Sequence, residues 1–189
     1  MAITGVVGMR AAEYAYSTNT YSSAFHIGDA INVNLSVTMI EGSLYANNKR
    51  KEYKQKFDTG TIQNSVDDIT DTVEAKLLGH STTNVTVGTS TVTAVVSNEN
   101  DKAPELGVGF YQTVTRNGAD KFRVVVLRRV IYGEPEDNAE TMDNTIKFSG
   151  RTITGTILSD KNGDWKTDVT VDSAAEAEAF LDAVLGTAS

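Results

Sequence analysis

The residues in this chain with chemistry to offer are two histidines, an alternating Asp/Asn set, a glycine pair and two runs of charge. His26 and His80 lie far apart in sequence, and a metal pair or a base for a serine nucleophile would need partners that only the fold can bring together. His80 follows Gly79 at the end of a helical pattern, so its place is that of a C-capping residue, and His26 reads as a loop histidine. In "DKNGDW" Asp160, Asn162 and Asp164 alternate as they would in a calcium loop. The glycine is misplaced for such a loop and the distal glutamate is missing, so a tight hairpin turn through Asn162-Gly163 is the better reading. "GVGFYQ", from Gly107, opens like a dinucleotide fingerprint, but no third glycine or helix start follows. Its glycines suit a bend or a close backbone approach in a strand.

The charge runs point to contact rather than catalysis. Glu134, Glu136, Asp137, Glu140 and Asp143 crowd "GEPEDNAETMD". Paired carboxylates hydrolyse glycosides in a cleft furnished with aromatic platforms, and this chain has a single tryptophan, Trp165, beside a turn. A solvated acidic loop over 133–145, or an arm reaching another subunit, is expected. Lys49, Arg50, Lys51, Lys54 and Lys56 place five of the 17 cations in "KRKEYKQK". With a net charge of −8 over the whole chain, such a run is a weak nucleic-acid patch, because the acidic body opposes phosphate and only Tyr53 could stack. It reads as a basic loop or hairpin within 40–64, either solvated or meeting an acidic neighbour and so giving polarity to an assembly.

The elements that must position these groups are mainly β. Threonine, valine and isoleucine abound, and their branched side chains favour pleated backbone. "INVNLSVTM" alternates cleanly, with Ile31, Val33, Leu35, Val37 and Met39 against Asn32, Asn34, Ser36 and Thr38. It predicts a strand with one buried face and one small, polar, uncharged face. Further strands are expected near 51–63, 85–97, 106–115, 121–132, 145–149, 151–158 and 166–172, with a hairpin turn at Asn117-Gly118 as well as at Asn162-Gly163. Strand 121–132 is apolar on both faces. Alternation puts Phe122, Val124, Val126, Val130 and Tyr132 on one side and Val125, Leu127 and Ile131 on the other, with Arg128 and Arg129 interrupting one face each.

Two segments have helical rhythm. The first runs from a Ser65 cap through the stripe Val66, Ile69, Val73 and Leu77, and the second from a Ser173/Glu176 capping box to Gly186. The whole, residues 1–189, reads as one domain: a β-sandwich or partial barrel with a flanking helix and a short C-terminal helix, preceded by an N-terminal arm over 1–30. With no cysteine there is no disulfide or thiolate chemistry. Arg10 and Glu13 fall where a leader's apolar core would lie, and no apolar run reaches membrane-spanning length, so maturation in a reducing cytoplasm is expected.

Three phrases carry a resemblance: "VEAKLLGH", "DKAPELGVGF" and "NGADKFRVVVLRRVIYGEPEDNAETMDNTIKFSGRTITGTILSDKNGDW". In order and spacing they resemble the major tail protein family of long, non-contractile-tailed bacteriophages and related prophages, over about residues 31–185. The resemblance implies a tail-tube fold similar to type VI secretion tube proteins. It also implies a non-enzymatic virion subunit assembled in the host cytoplasm into stacked hexameric rings through which DNA is ejected. Its implied partners are copies of itself, a tape measure protein, a tail terminator and baseplate or distal tail proteins. DNA would pass transiently, with no membrane partner, cofactor or metal. On that picture Asn32, Asn34, Ser36 and Thr38 are candidates to line the lumen. Lys49, Arg50, Lys51, Lys54, Lys56, Arg128, Arg129, Glu134, Glu136 and Asp137 are candidates for contacts between subunits. The alternative is a β-sandwich binding or adhesin module of a phage or cell surface; a hydrolase on the same scaffold ranks below both.

Overall fold

A computed structural model of the protein describes residues 2–46, 49–116, 118–135 and 150–188. The chain runs β1 (Ala2–Ala15), β2 (Thr20–His26), β3 (Ala30–Ala46), β4 (Lys49–Val66), α1 (Asp71–Leu78), β5 (Ser81–Val87) and β6 (Ser90–Val96). It continues through β7 (Leu106–Arg116), β8 (Ala119–Tyr132), β9 (Arg151–Leu158), β10 (Lys166–Val171) and α2 (Ala174–Leu185). Eight strands form one antiparallel sheet in the order β2-β1-β7-β8-β9-β4-β3, with β10 also on β8, while β5 and β6 pair alone. The protein is mainly β, and its large sheet curls without closing into a barrel.

The core of the fold is β8, and its two apolar faces are both covered from within the chain. Val125, Leu127, Val130 and Tyr132 join Phe110, Ile62, Ile153, Ile157 and the α1 residues Leu77 and Leu78 in one cluster. Val124 and Val126 join Ala177, Leu181 and Leu185 of α2 in a second. Simple alternation would have placed Val130 and Tyr132 with Val124. The correction comes from a β-bulge: β7 advances from Leu106 to Val108 while β8 spans Val130 to Leu127, so Arg128 and Arg129 hold one extra residue and reverse the parity. The same bulge divides the other side of β8, where Phe122–Leu127 pair with β10 and Arg129–Tyr132 pair with β9.

Packing explains the sequence of β7. Leu106, Val108 and Phe110 face the first cluster, and the glycines between them let α2 lie against the backbone. A Cβ on Gly109 would stand 2.6 Å from Leu181 Cδ2 and 2.7 Å from Leu185 Cδ1, and one on Gly107 would collide with the Tyr21 ring. The close-approach reading of "GVGFYQ" therefore holds. α2 has the expected capping box, with the Glu176 N–H donating to Ser173 Oγ at 3.2 Å and the Ser173 N–H to the Glu176 carboxylate at 3.2 Å. Its carboxylates Glu178 and Asp182 both engage Arg10, whose side chain is buried under the helix.

Several expectations are corrected. Residues 1–30 are no detached arm but supply β1 and β2, burying Met9, Ala11, Ala12, Phe25 and Ile27. Their β signal is blunted by alanine and by Gly5 and Gly8, which take positive φ where the β1–β7 register shifts. The strand expected over 85–97 is a hairpin from Ser81 to Val96, turning at Gly88 with φ +63. Ser65 and Val66 belong to β4, paired with Thr152 and Arg151, so α1 starts later with Thr70 as its N-cap. The Asn162-Gly163 turn forms, but the strands that it joins do not pair with each other; both lie against β8. The β7–β8 hairpin forms as expected, with Arg116 opposite Ala119. The strand expected at 145–149, Asn117, and most of the acidic loop, with Glu136 and Asp137, lie outside the described residues.

Candidate assembly surface

β3 and β4 build a ribbon that leaves the body of the protein. They pair from Ala30 opposite Val66 to Ala46 opposite Lys49, whereas β9 supports β4 only from Gly60 to Val66. Beyond Gly60 the pair continues, with no third strand among the described residues, from Thr38 to Ala46 of β3, about 30 Å at the usual rise per residue. Among the described residues the outer edge of β3 has no strand beside it. The apolar face expected to be buried is only partly so: Leu35, Val37 and Met39 stay 40%, 39% and 38% exposed.

The register assigns each residue of the ribbon to a face. Leu35, Val37 and Met39 stand opposite Ile62, Gly60 and Phe57. That face is anchored at its root, where Phe57 stacks on Trp165 at 4.7 Å with their rings 1° from parallel. Deeper in, the Asn64 amide donates to the Tyr132 hydroxyl at 2.5 Å, both side chains being buried. Burial away from water raises the Tyr132 phenol far above its ordinary value, which keeps it neutral as that partner.

The opposite face is polar and uncharged across three strands. Asn32, Asn34, Ser36 and Thr38 stand opposite Ser65, Gln63, Thr61 and Thr59. The row is continued on β9 by Thr152, Thr154 and Thr156, which oppose Ser65, Gln63 and Thr61. Ser65 and Thr152 share a hydroxyl hydrogen bond of 3.0 Å. Sequence reading found the β3 members of this face; the β4 and β9 members needed the register. Toward the tip the same face becomes apolar and charged, with Ile40 and Leu44 each 56% exposed and Lys56, Lys54 and Glu52 opposite Ile40, Gly42 and Leu44.

The basic candidates fall into two groups. Arg50, Lys51, Lys54 and Lys56 are exposed on β4, Arg50 lying over the Tyr53 ring at 5.0 Å, and Lys49 closes the ribbon opposite Ala46. The arginines of β8 are engaged inside the chain. Arg128 Nε donates to Thr167 Oγ1 at 3.0 Å, while Arg129 donates to Glu105 at 2.5 Å and to the Ser159 carbonyl at 3.4 Å and covers the Tyr16 ring at 4.9 Å.

Glu134 meets a partner the sequence did not disclose. The His80 side chain, 4% exposed, sits with Nδ1 2.8 Å from Asp101 and Nε2 2.9 Å from Glu134; Ser97 Oγ is 3.4 Å from Nε2. Serine, imidazole and aspartate in this order are the parts of a nucleophilic triad, but the base in a triad must present a free lone pair to the hydroxyl. Here both nitrogens face carboxylates. The hydrogen bond to Asp101 raises the His80 pKa, with further support from the Glu134 charge, and the His80 contact in turn lowers that of Asp101. A carboxylate at each nitrogen thus favours the protonated ring. The two carboxylates lie on opposite nitrogens, so they do not converge on one metal ion. Among the described residues no group of three or more His, Asp or Glu side chains is arranged to hold a metal, and no helix is long and apolar enough to cross a membrane.

No family model matches the chain, and no curated protein matches it in sequence.

Proposed function

We propose that this protein is a structural, non-enzymatic subunit that assembles with copies of itself into stacked hexameric rings, forming the tail tube of a phage. The observation that carries the reading is the β3–β4 ribbon: among the described residues no strand pairs with the outer edge of β3, and apolar side chains are left exposed beyond the body. A two-stranded ribbon is marginal alone in water, and a bare edge invites pairing with another chain. A second copy meets both needs, and a head-to-tail contact that closes makes a ring.

The three-strand polar face suits a channel wall. Hydroxyls and amides at Asn32, Asn34, Ser36, Thr38, Thr59, Thr61, Gln63, Thr152, Thr154 and Thr156 carry no cation to neutralise phosphate. Without counterion release there is no strong hold on DNA, and the net charge of −8 favours its passage over its capture. The exposed basic residues at the ribbon tip would then meet an acidic part of a neighbour, giving the assembly direction. The tape measure, terminator and baseplate proteins complete the proposed set of partners.

Electron microscopy and sedimentation of the purified protein over a wide concentration range test the reading. Rings or tubes are expected. A protein that stays monomeric at every concentration, and also when mixed with tail initiation components, would overturn it in favour of a monomeric binding module.

A further inference from the structure

The β5–β6 hairpin is rooted in the His80 cluster. It begins one residue after His80 and is followed by the loop that carries Ser97 and Asp101, while Glu134 comes just after β8. Its register puts Val85 opposite Val92, Val87 opposite Ser90 and Val96 opposite Ser81, so the four exposed valines share one face. Residues 81–98 contain no charged side chain. The hairpin therefore presents a neutral apolar surface, and the His80–Glu134 contact is one of the ties between its root and the end of β8.

We infer that His80 is a proton-operated latch, which ties the root of the β5–β6 hairpin to the exit of β8 when its ring is charged and lets go of Glu134 when it is neutral. The argument is one of donors. An imidazolium has two N–H groups and can serve both carboxylates, whereas a neutral ring has one N–H and must turn a lone pair toward the other carboxylate. Which partner is lost follows from the surroundings. Asp101 is 20% exposed and also accepts the Asn98 N–H at 2.8 Å, while Glu134 is 67% exposed and regains water on leaving. The proton stays on Nδ1 with Asp101, and Nε2 is left without an N–H for Glu134.

Other charges nearby are engaged elsewhere. On α1, which packs against the hairpin, Glu74 pairs with Arg151 and Lys76 lies over the Phe25 ring. On the 97–105 loop Glu99 and Lys102 flank Asp101, and the charged groups in contact with the ring are Asp101 and Glu134. The sign of the effect follows. Because the folded-state pKa is raised, the latch contributes its full stability below the ordinary imidazole value, about 6.5, and loses it as pH rises through the raised value.

The inference concerns the protomer and is tested without assembly. The His80 ring is followed by NMR over roughly pH 5 to 9, where imidazoles titrate, in the wild type and in Glu134→Gln. Amide hydrogen exchange over 81–96 and the Glu134 amide shift are read on the same samples, with exchange corrected for its intrinsic pH dependence. The expected wild-type result is a His80 midpoint above the ordinary value, with a step in both other signals at that midpoint. Glu134→Gln lowers the midpoint and abolishes the step. A midpoint at or below the ordinary value, or no step at it, overturns the latch. Asp101→Asn serves as a second variant: it should lower the midpoint further, and an unchanged midpoint would also count against the geometry. Rings or tubes can form whether or not the latch exists, so this outcome is separate from that of the assembly reading.

Discussion

Replacing Ile40 and Leu44 with threonine tests whether the ribbon completes its burial on another copy. Threonine keeps a branched, strand-favouring side chain, so the ribbon itself should persist. Each side chain is 56% exposed in the protomer. Full burial of such a residue contributes about 2 kcal/mol, so closing the exposed part against a neighbour contributes about 1 kcal/mol each and about 2 kcal/mol for the pair. Losing that weakens each subunit contact about 30-fold. The assay is the concentration at which rings or tubes appear by sedimentation, with the thermal midpoint by circular dichroism as control. A rise in assembly concentration of that order, with the midpoint shifted by no more than a few degrees, is expected. Assembly at the wild-type concentration would refute the argument, because side chains that are buried in an interface cannot be exchanged without effect.

Two further predictions concern the body of the protein. Tyr132→Phe leaves the buried Asn64 amide without its acceptor, which should cost about 1–3 kcal/mol and lower the thermal midpoint by several degrees; an unchanged midpoint would mean that another acceptor is in reach. For Arg10 the prediction is an order of effects. The double variant Glu178→Gln/Asp182→Asn strands a buried guanidinium and should cost about 3–5 kcal/mol. Arg10→Met should cost less, because the two carboxylates are 40% and 39% exposed and return to water. Denaturant unfolding of both variants decides it, and the reverse order would show that Arg10 stabilises the fold through more than its pairing with the two carboxylates.

What was legible in the sequence was whatever local pattern alone determines. The two faces of β3 follow from period-two alternation, the α2 start from Ser173 and Glu176, and the β7 glycines from their place in an apolar strand. Non-local register was not legible. A bulge at Arg128 and Arg129 leaves no mark in residue type, yet it reverses the faces of β8 beyond it and decides which strand pairs with which half. β1 was missed because Gly5, Gly8 and the alanines weaken every β signal, although the neighbouring β7 supplies the pairing that holds it. The partial burial of Leu35, Val37 and Met39 was equally hidden, since an apolar face reads the same in sequence whether its cover comes from the same chain or another. His80 stood beside a helix stop, but nothing in the spacing of Asp101 or Glu134 pointed back to it.

Arg128 and Arg129 of β8 show how that register bears on assembly. At the bulge β10 has ended and β9 begins, so the backbone there needs partners other than a continuous strand. The Arg128 N–H donates to the Trp165 carbonyl at 3.0 Å, and the Arg128 carbonyl accepts from the Tyr21 hydroxyl at 2.9 Å. The side chains reach outward from the same point, Arg128 to β10 and Arg129 to Glu105 and the Ser159 carbonyl. These cations therefore seal a division within one sheet, and drawing them to a neighbouring subunit would open the junction that they close. In the proposed tube the joining of copies accordingly falls on the ribbon and on its edge, unpaired among the described residues, where apolar side chains and the cations at the tip face solvent.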